Sequence, residues 1–335
     1  GSADARNVIN LADDLRSKTV GNEVHLRGII EFSNYCRNNC LYCGLRRDNR
    51  EIRRYRMTAD EIISTAARGA ELGYKTVVLQ SGEDPFFTAE MLAEIIREIK
   101  KFNLVVTLSV GEREPWEYQC WREAGAERYL MRHETADPEL YQKLHPGQDF
   151  FHRIDLLKIL KEQGYQVGAG FMVGLPGQKP ETLLADLELL RQLDVEMVGI
   201  GPFIPHPGTP LSRSSGGTLQ QTILMVALVR LFLPEALIPA TTALGSIDAL
   251  GREKALQAGA NVVMPNLTPR KYRAFYEIYP HKICLAEDAA DCTDCIKGRI
   301  QAIGRTVSSG EGHHINWLRR RQHNERQGTQ VGKRY

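Results

Sequence analysis

The sequence predicts an α/β protein built as a single (β/α)8 barrel of the TIM type, with short extensions at both ends. Short β-branched runs alternate with amphipathic helical stretches from about residue 24 to 265. Eight such runs are present, at 24–32, 76–80, 104–110, 128–132, 166–173, 197–201, 237–242 and 261–264. Four of the helical stretches end in glycine and pass directly into a strand, at Gly73, Gly125, Gly164 and Gly259. Glycine stops a helix there because it takes the left-handed conformation without a Cβ clash. Strand–helix alternation requires right-handed crossovers and a parallel sheet, and eight units most simply close on themselves. An open doubly wound sheet is the competing architecture, but no GxGxxG follows the first strand.

Residues 1–23 read as an N-terminal helical extension, 24–270 as the barrel and 271–335 as a C-terminal extension. A barrel of about 250 residues leaves room for both. Thr58-Ala59-Asp60-Glu61 reads as a capping box that opens the helix after the first strand. Pro180 suits the first turn of a later helix. From about residue 297 the chain is polar and basic and reads as a helix or arm outside the barrel. Gly1-Ser2 reads as a remnant of expression.

Hydrophobic content of 42% and charged content of 25% are ordinary for a soluble protein. A net charge of +2 gives no field suited to nucleic acid or a membrane surface, so neither is expected as a partner. No apolar run reaches the length of a membrane span and no signal peptide opens the chain, so a cytoplasmic location is expected. Six of the seven cysteines fall into two tight triplets, which suggests metal ligation rather than disulfides. The seventh, Cys120, sits beside Trp121 in a helical stretch and reads as an inert thiol.

The first triplet, Cys36, Cys40 and Cys43, follows the first strand. That places three thiolates in a βα loop at the C-terminal mouth, where barrels of this type carry their active sites. Three ligands for a four-iron cluster leave one iron open to a substrate or cofactor. A zinc site would want a fourth Cys or His nearby, and His25 lies at the wrong end of the strand. CxxxCxxC with Tyr42 before the last cysteine resembles the signature of the radical S-adenosylmethionine (SAM) superfamily. The resemblance implies a 4Fe-4S cluster whose open iron chelates SAM. One electron then breaks the sulfonium bond to give a 5′-deoxyadenosyl radical, with Tyr42 near the adenine.

Polar residues collect at the ends of the later strands. Gln80-Ser81-Gly82-Glu83 resembles the superfamily's "GGE" segment, with Ser81 in place of its first glycine. Thr107 and Ser109 lie on the third strand, and Arg132-His133-Glu134-Thr135 ends the fourth. Glu134 is expected at the SAM ribose and Arg153 at the SAM carboxylate. His133 is expected to point away from Arg132 and Glu134, because neighbours on an extended chain alternate in direction. Gly168 and Gly170 are expected where backbone approaches a ligand, and the edge around Ile204 could pair with adenine. The bland alternatives are turn chemistry for the small polar residues, a surface ion pair for Arg132 and Glu134, and plain core for Met172 and Met197.

Several segments together resemble one group within the superfamily, the HydE maturases of FeFe-hydrogenase. They are EFSNYCRNNCLYCGLRRDN (31–49), LQSGEDP (79–85), RHETA (132–136), MVGLPGQ (172–178) and GIGPFIPHPGTPL (199–211), with IPATTALG (238–245) and GANVVMPNLTP (259–269). The resemblance implies a full barrel with a closed cavity. It implies an iron carbonyl–cyanide unit carried on a cysteine as substrate, supplied by HydG, with radical attack at sulfur and a product destined for the scaffold HydF. A low-potential donor such as ferredoxin or flavodoxin is implied as well. Arg132, Glu134, Thr241, Thr242 and Tyr276 are the residues it places at the reaction. Tyr42, Gln80, Ser81, Gly82, Glu83, Thr107, Glu134, Arg153, Met172 and Ile204 are those it places around SAM or in the cavity wall.

The second triplet, Cys284, Cys292 and Cys295, follows the eighth strand and resembles the auxiliary 2Fe-2S or 4Fe-4S site found in some HydE proteins. It is expected away from the barrel mouth and dispensable for the core chemistry, with a peripheral or zinc site as the alternative reading. Biotin synthase is disfavoured because strands three to five carry no cysteine. Methylornithine synthase shares the opening motif and is expected to lack the second triplet. A non-catalytic iron–sulfur carrier would need neither an open iron nor a SAM surface.

Overall fold

The stretch expected as one strand at 24–32 is broken at Arg27 in the computed structural model, which describes residues 2–322. Its halves are β1 (Glu23–Leu26) and β2 (Gly28–Ser33). The chain continues with β3 (Thr76–Ser81), β4 (Val105–Ser109), β5 (Ala126–Leu130) and β6 (Gln166–Ala169). Then come β7 (Met172–Val173), β8 (Met197–Val198), β9 (Gly201–Pro202), β10 (Val262–Val263) and β11 (Thr306–Val307). Six of these form one parallel sheet in the order β2-β3-β4-β5-β6-β8. The two breaks at 170 and 199 have one cause: a Cβ on Gly170 would lie 2.0 Å from Gly199 O. Gly170 therefore serves the approach of two strands and not of a ligand, which corrects the reading of that glycine.

The ring closes through single bridges and one short ladder. Met197 pairs with Leu237, Pro239 with Val262, and Ile29 with Asn266, while β1 runs parallel to β10. The expected seventh strand at 237–242 is thus present only as bridges. Pro239 has no N–H to give a ladder, and Thr242 already begins the helix Thr242–Ile247. The four glycine stops have φ of 88°, 112°, 83° and 115° at Gly73, Gly125, Gly164 and Gly259. The Thr58 box is formed, with Thr58 Oγ1 accepting from Glu61 N at 3.2 Å and Thr58 N donating to Glu61 Oε2 at 2.8 Å. Pro180 opens the helix Pro180–Gln192.

The C-terminal extension covers both ends of the barrel. The helix Ala289–Ala302 and β11 lie outside, but residues 311–317 form a floor under the sheet. Arg128, fully buried inside the barrel, donates to Thr76 Oγ1 at 3.0 Å and to Glu311 O at 2.8 Å. Gln166 holds His313 Nδ1 at 2.6 Å and accepts from His314 N at 2.8 Å. At the other end, residues 276–284 lie across the mouth. Arg273, 1% exposed, ties that segment down through the carbonyls of Asn266 (2.9 Å), Thr268 (2.5 Å), Cys284 (3.3 Å) and Glu287 (2.6 Å).

Candidate active site

The loop carrying Cys36, Cys40 and Cys43 leaves the end of β2 and rests on Gly82. A Cβ at Gly82 would lie 2.2 Å from Tyr35 O and 2.8 Å from Cys36 Cβ, so the loop can lie there only over glycine. Glu83 braces the loop: its carboxylate accepts from Arg37 Nε at 3.1 Å and Glu112 N at 2.9 Å. Ser33 Oγ donates to Asp84 at 2.6 Å, and Arg56 grips the same carboxylate with two nitrogens at 2.7 and 2.9 Å.

Tyr42 is fixed by a residue the sequence did not single out. His145 Nδ1 lies 2.8 Å from Tyr141 O and must donate to it, so Nε2 is the acceptor for the Tyr42 hydroxyl, also at 2.8 Å. Burial lowers the His145 pKa to about 3, so the ring stays neutral. Gln148 is a second such residue, donating to Cys40 Sγ at 3.3 Å and accepting from Arg153 at 2.9 Å. Burial raises the pKa of Cys36, pushes Cys40 up to about 12, and raises Cys43 further, with repulsion from neighbouring thiolates adding to the last two.

Cys40 and Cys43 open onto a cavity of about 350 Å³ inside the barrel mouth. Tyr42, Gln80, Ser81, Arg132, Glu134, Arg153, Met172, Ile204, Thr241, Thr242 and Tyr276 share its wall. Five expected residues lie off that wall. Cys36, on the loop itself, and Gly82 and Glu83, just past β3, do not line the cavity, and Cys295 is exposed. Thr107 faces a separate space of about 20 Å³, deeper in the barrel behind Leu130, Pro239 and Met264.

Glu134 takes a left-handed φ of 67°, costly for a residue with a side chain. The turn is held from behind by His133, whose Nε2 lies 3.0 Å from the buried Asp186 carboxylate. Asp186 also accepts from Ala136 N at 2.6 Å. His133 thus points away from its neighbours. Glu134 reaches Arg132 at 3.1 Å, yet its buried Oε2 has no well-formed hydrogen bond. Arg153 is heavily engaged, giving Nε to Glu112 at 2.5 Å, Nη1 to Arg132 O at 3.0 Å and Nη2 to Gln148. Its Nη2 also lies 4.0 Å from the Glu83 carboxylate.

The second triplet is not remote. Cys284 and Cys292 line the same cavity, because residues 276–284 fold back across the mouth. Cys284 has a φ of 62° and Arg252 Nη2 lies 3.8 Å from its sulfur. The expectation that this triplet lies away from the mouth is therefore corrected for two of its three members. The same segment brings in Lys282, which pairs with the buried Glu31, itself held by Asn266 at 3.0 Å. Glu31, Asn266, Arg252 and Lys282 had no sequence signal, since Glu31 and Lys282 lie 251 residues apart.

Residues 30–190 match the radical SAM superfamily. The [FeFe] hydrogenase maturase subunit HydE of Thermotoga maritima is 54% identical over 89% of this chain and 86% of that protein. The chain belongs to the radical SAM superfamily, in the group of the HydE proteins. It is a radical SAM enzyme. The 3-methylornithine synthase of Methanosarcina acetivorans is 35% identical over 76% of this chain and 72% of its own. Among solved structures, methylornithine synthase superposes with a TM-score of 0.81 at 28% identity, covering 92% of this chain and 90% of that one. HydG from Carboxydothermus hydrogenoformans shares the fold, with a TM-score of 0.75 at 21% identity over 89% of this chain and 71% of that one.

The family implies a 4Fe-4S cluster and SAM, and the residues present fit both. The three thiols with raised pKa values ionise only against compensating positive charge, which bound iron supplies. Gly82 leaves the space the loop needs, and the unsatisfied oxygens of Glu134 and Thr241 belong to residues of the cavity wall. Among the described residues, no three Cys, His, Asp or Glu side chains gather as a single zinc ion requires. Nor is any helix among them long and apolar enough to cross a membrane.

Proposed function

We propose that this enzyme is a cytoplasmic maturase of FeFe-hydrogenase and acts on the sulfur of a cysteine that carries an iron carbonyl–cyanide unit. The observation that carries the reading is one cavity whose wall joins the cysteine loop, the Arg132–Glu134 pair and the unspent hydroxyl of Thr241. When bound, the cluster and SAM supply a 5′-deoxyadenosyl radical. The protein's share is to hold and orient. Cys36, Cys40 and Cys43 ligate iron, and Gly82 and Glu83 set the loop. Tyr42, Gln80, Ser81, Met172 and Ile204 wall the SAM end, Glu134 binds the ribose hydroxyls and Arg153 the methionyl carboxylate. Arg132, Thr241, Thr242 and Tyr276 surround the substrate with cationic and hydroxyl donors suited to cyanide ligands. Thr107 contributes from the layer beneath. The substrate would come from HydG and the product pass to HydF.

The test is anaerobic reconstitution followed by two assays, 5′-deoxyadenosine release and hydrogenase activation with the other maturases. Alanine at Cys36, Cys40 or Cys43 should abolish both. Near-native SAM cleavage in any one of these variants would refute the ligand assignment. Formation of 3-methylornithine by the unaltered enzyme would favour a methylornithine synthase instead.

A further inference from the structure

The cysteine loop has two faces. Cys40 and Cys43 look into the cavity, while Arg37 on the same loop is exposed with 55% of its side chain in solvent. A cluster held here would lie close beneath the outer face of the loop, within reach of an electron carrier docked on it. That face is strongly basic. Between residues 46 and 56 the chain holds six arginines against two acids, although the whole chain is nearly balanced at +2. The segment is laid directly on the loop: Arg47 N donates to Asn38 O at 2.8 Å and Arg46 N to Cys43 O at 3.0 Å.

Arg54 organises this surface from below. It donates to the carbonyls of Asn34, Leu45, Arg46 (2.8 Å) and Asn49 (3.1 Å), so the strip is rigid beside the ligands. Arg47, Arg50 and Arg53 are left exposed with Arg37. Asp48 is engaged by Arg47 at 3.2 Å and by Asn39 at 2.6 Å, which leaves Glu51 as the other exposed acid of the segment. At the border, Phe86 is 50% exposed and stacks under Arg56, which also covers the Tyr35 ring at 3.8 Å. An apolar anchor beside a charged rim is the anatomy of a transient protein interface.

We propose that Arg37, Arg47, Arg50 and Arg53, with Phe86 at their edge, form the docking surface for a small acidic electron-transfer protein. The inference rests on a redox cluster being held by Cys36, Cys40 and Cys43. One electron passes and no atoms move: the carrier is oxidised by one electron and the cluster is reduced by one. Complementary charge of this kind acts mainly on encounter rate and fades with salt.

The experiment uses cluster-loaded enzyme and a flavodoxin of acidic composition as the probe. Calorimetry measures its binding, and SAM cleavage is driven either by the reduced flavodoxin or by dithionite. The variant is Arg47→Glu with Arg50→Glu and Arg53→Glu, and the control is Lys158→Glu with Arg191→Glu on other helices. The triple variant should weaken flavodoxin binding about tenfold or more and raise its KM in step, while dithionite-driven cleavage stays unchanged. The control should behave as the unaltered enzyme. Equal loss in the control, loss of the dithionite rate, no binding by the unaltered enzyme, or binding indifferent to the reversal would each overturn the proposal. Displacement of flavodoxin by single-stranded DNA at low concentration would reassign the patch to nucleic acid. Absence of dithionite-driven cleavage in the unaltered enzyme would instead refute the radical SAM reading, with the binding measurement still interpretable.

Discussion

Thr241 stands at the N-cap of the helix Thr242–Ile247 but makes no capping hydrogen bond, and its buried hydroxyl has no partner. Leaving a buried hydroxyl unsatisfied is unfavourable, so replacing it by an isosteric methyl should not harm the folded protein. Thr241→Val is expected to keep or raise stability, within about 0.5 kcal/mol by urea titration, and to leave 5′-deoxyadenosine formation intact. Hydrogenase activation should fall at least tenfold if the hydroxyl serves the ligand as proposed. His133 shows the opposite balance. Its removal in His133→Leu leaves the Asp186 carboxylate buried without its main partner, which should cost about 3 kcal/mol. SAM affinity, read by titration of the cluster signal, should fall as well, since the strained turn at Glu134 loses its support. Normal stability in this variant would show that the pair is not coupled to the turn.

At the scale of elements, two pieces shape the mouth of the cavity. One is the cysteine loop that leaves β2 and rests on Gly82 after β3. Gly82→Ala puts a methyl group within 2.2 Å of Tyr35 O, and the displaced loop should lose iron, measured as iron and sulfide per chain after reconstitution. The other is the segment 276–284. Arg273 satisfies four carbonyls at once, so Arg273→Met should cost about 3 kcal/mol and expose residues 276–288 to limited proteolysis. The place of Cys284 and Cys292 on the cavity wall changes what their removal should do. Alanine at Cys284, Cys292 and Cys295 together is expected to lower iron content while SAM cleavage persists. An accompanying loss of hydrogenase activation would mark the pair as part of the substrate end.

Across the whole molecule, the floor of the barrel makes stability depend on pH. Burial, followed by the nearby Arg27 and Arg128 charges, lowers His25 to about 4 and His313 to about 3. Burial likewise lowers His314 to about 4. All three stay neutral in the folded protein at pH 5, whereas in the unfolded chain they take up protons below about pH 6.5. The unfolded state then binds more protons, so stability rises with pH across this window and is lost on acidification. Urea midpoints should be level above about pH 7.5 and fall steadily between about pH 6.5 and 4.5. His313→Gln should flatten that fall. A flat profile in the unaltered protein would show that the floor is not tightly packed.

The sequence by itself determined the alternation of strands and helices, the four glycine stops, the Thr58 box and the cysteine loop, which are set by period, local backbone conformation and spacing within a few residues. Most of the cavity wall was legible only through the resemblance to the HydE proteins. It did not reveal the break at Arg27, the replacement of the seventh strand by bridges around Pro239, or the floor made by residues 311–317. Nor did it place Cys284 and Cys292 at the mouth, or pair Tyr42 with His145 and Glu31 with Lys282. Most of these depend on distant segments being brought into contact, 103 residues apart for Tyr42 and His145 and 251 for Glu31 and Lys282. Only closure of the barrel creates such contacts, because a buried donor or charge selects its partner by where the packed chain puts it and not by distance along the sequence.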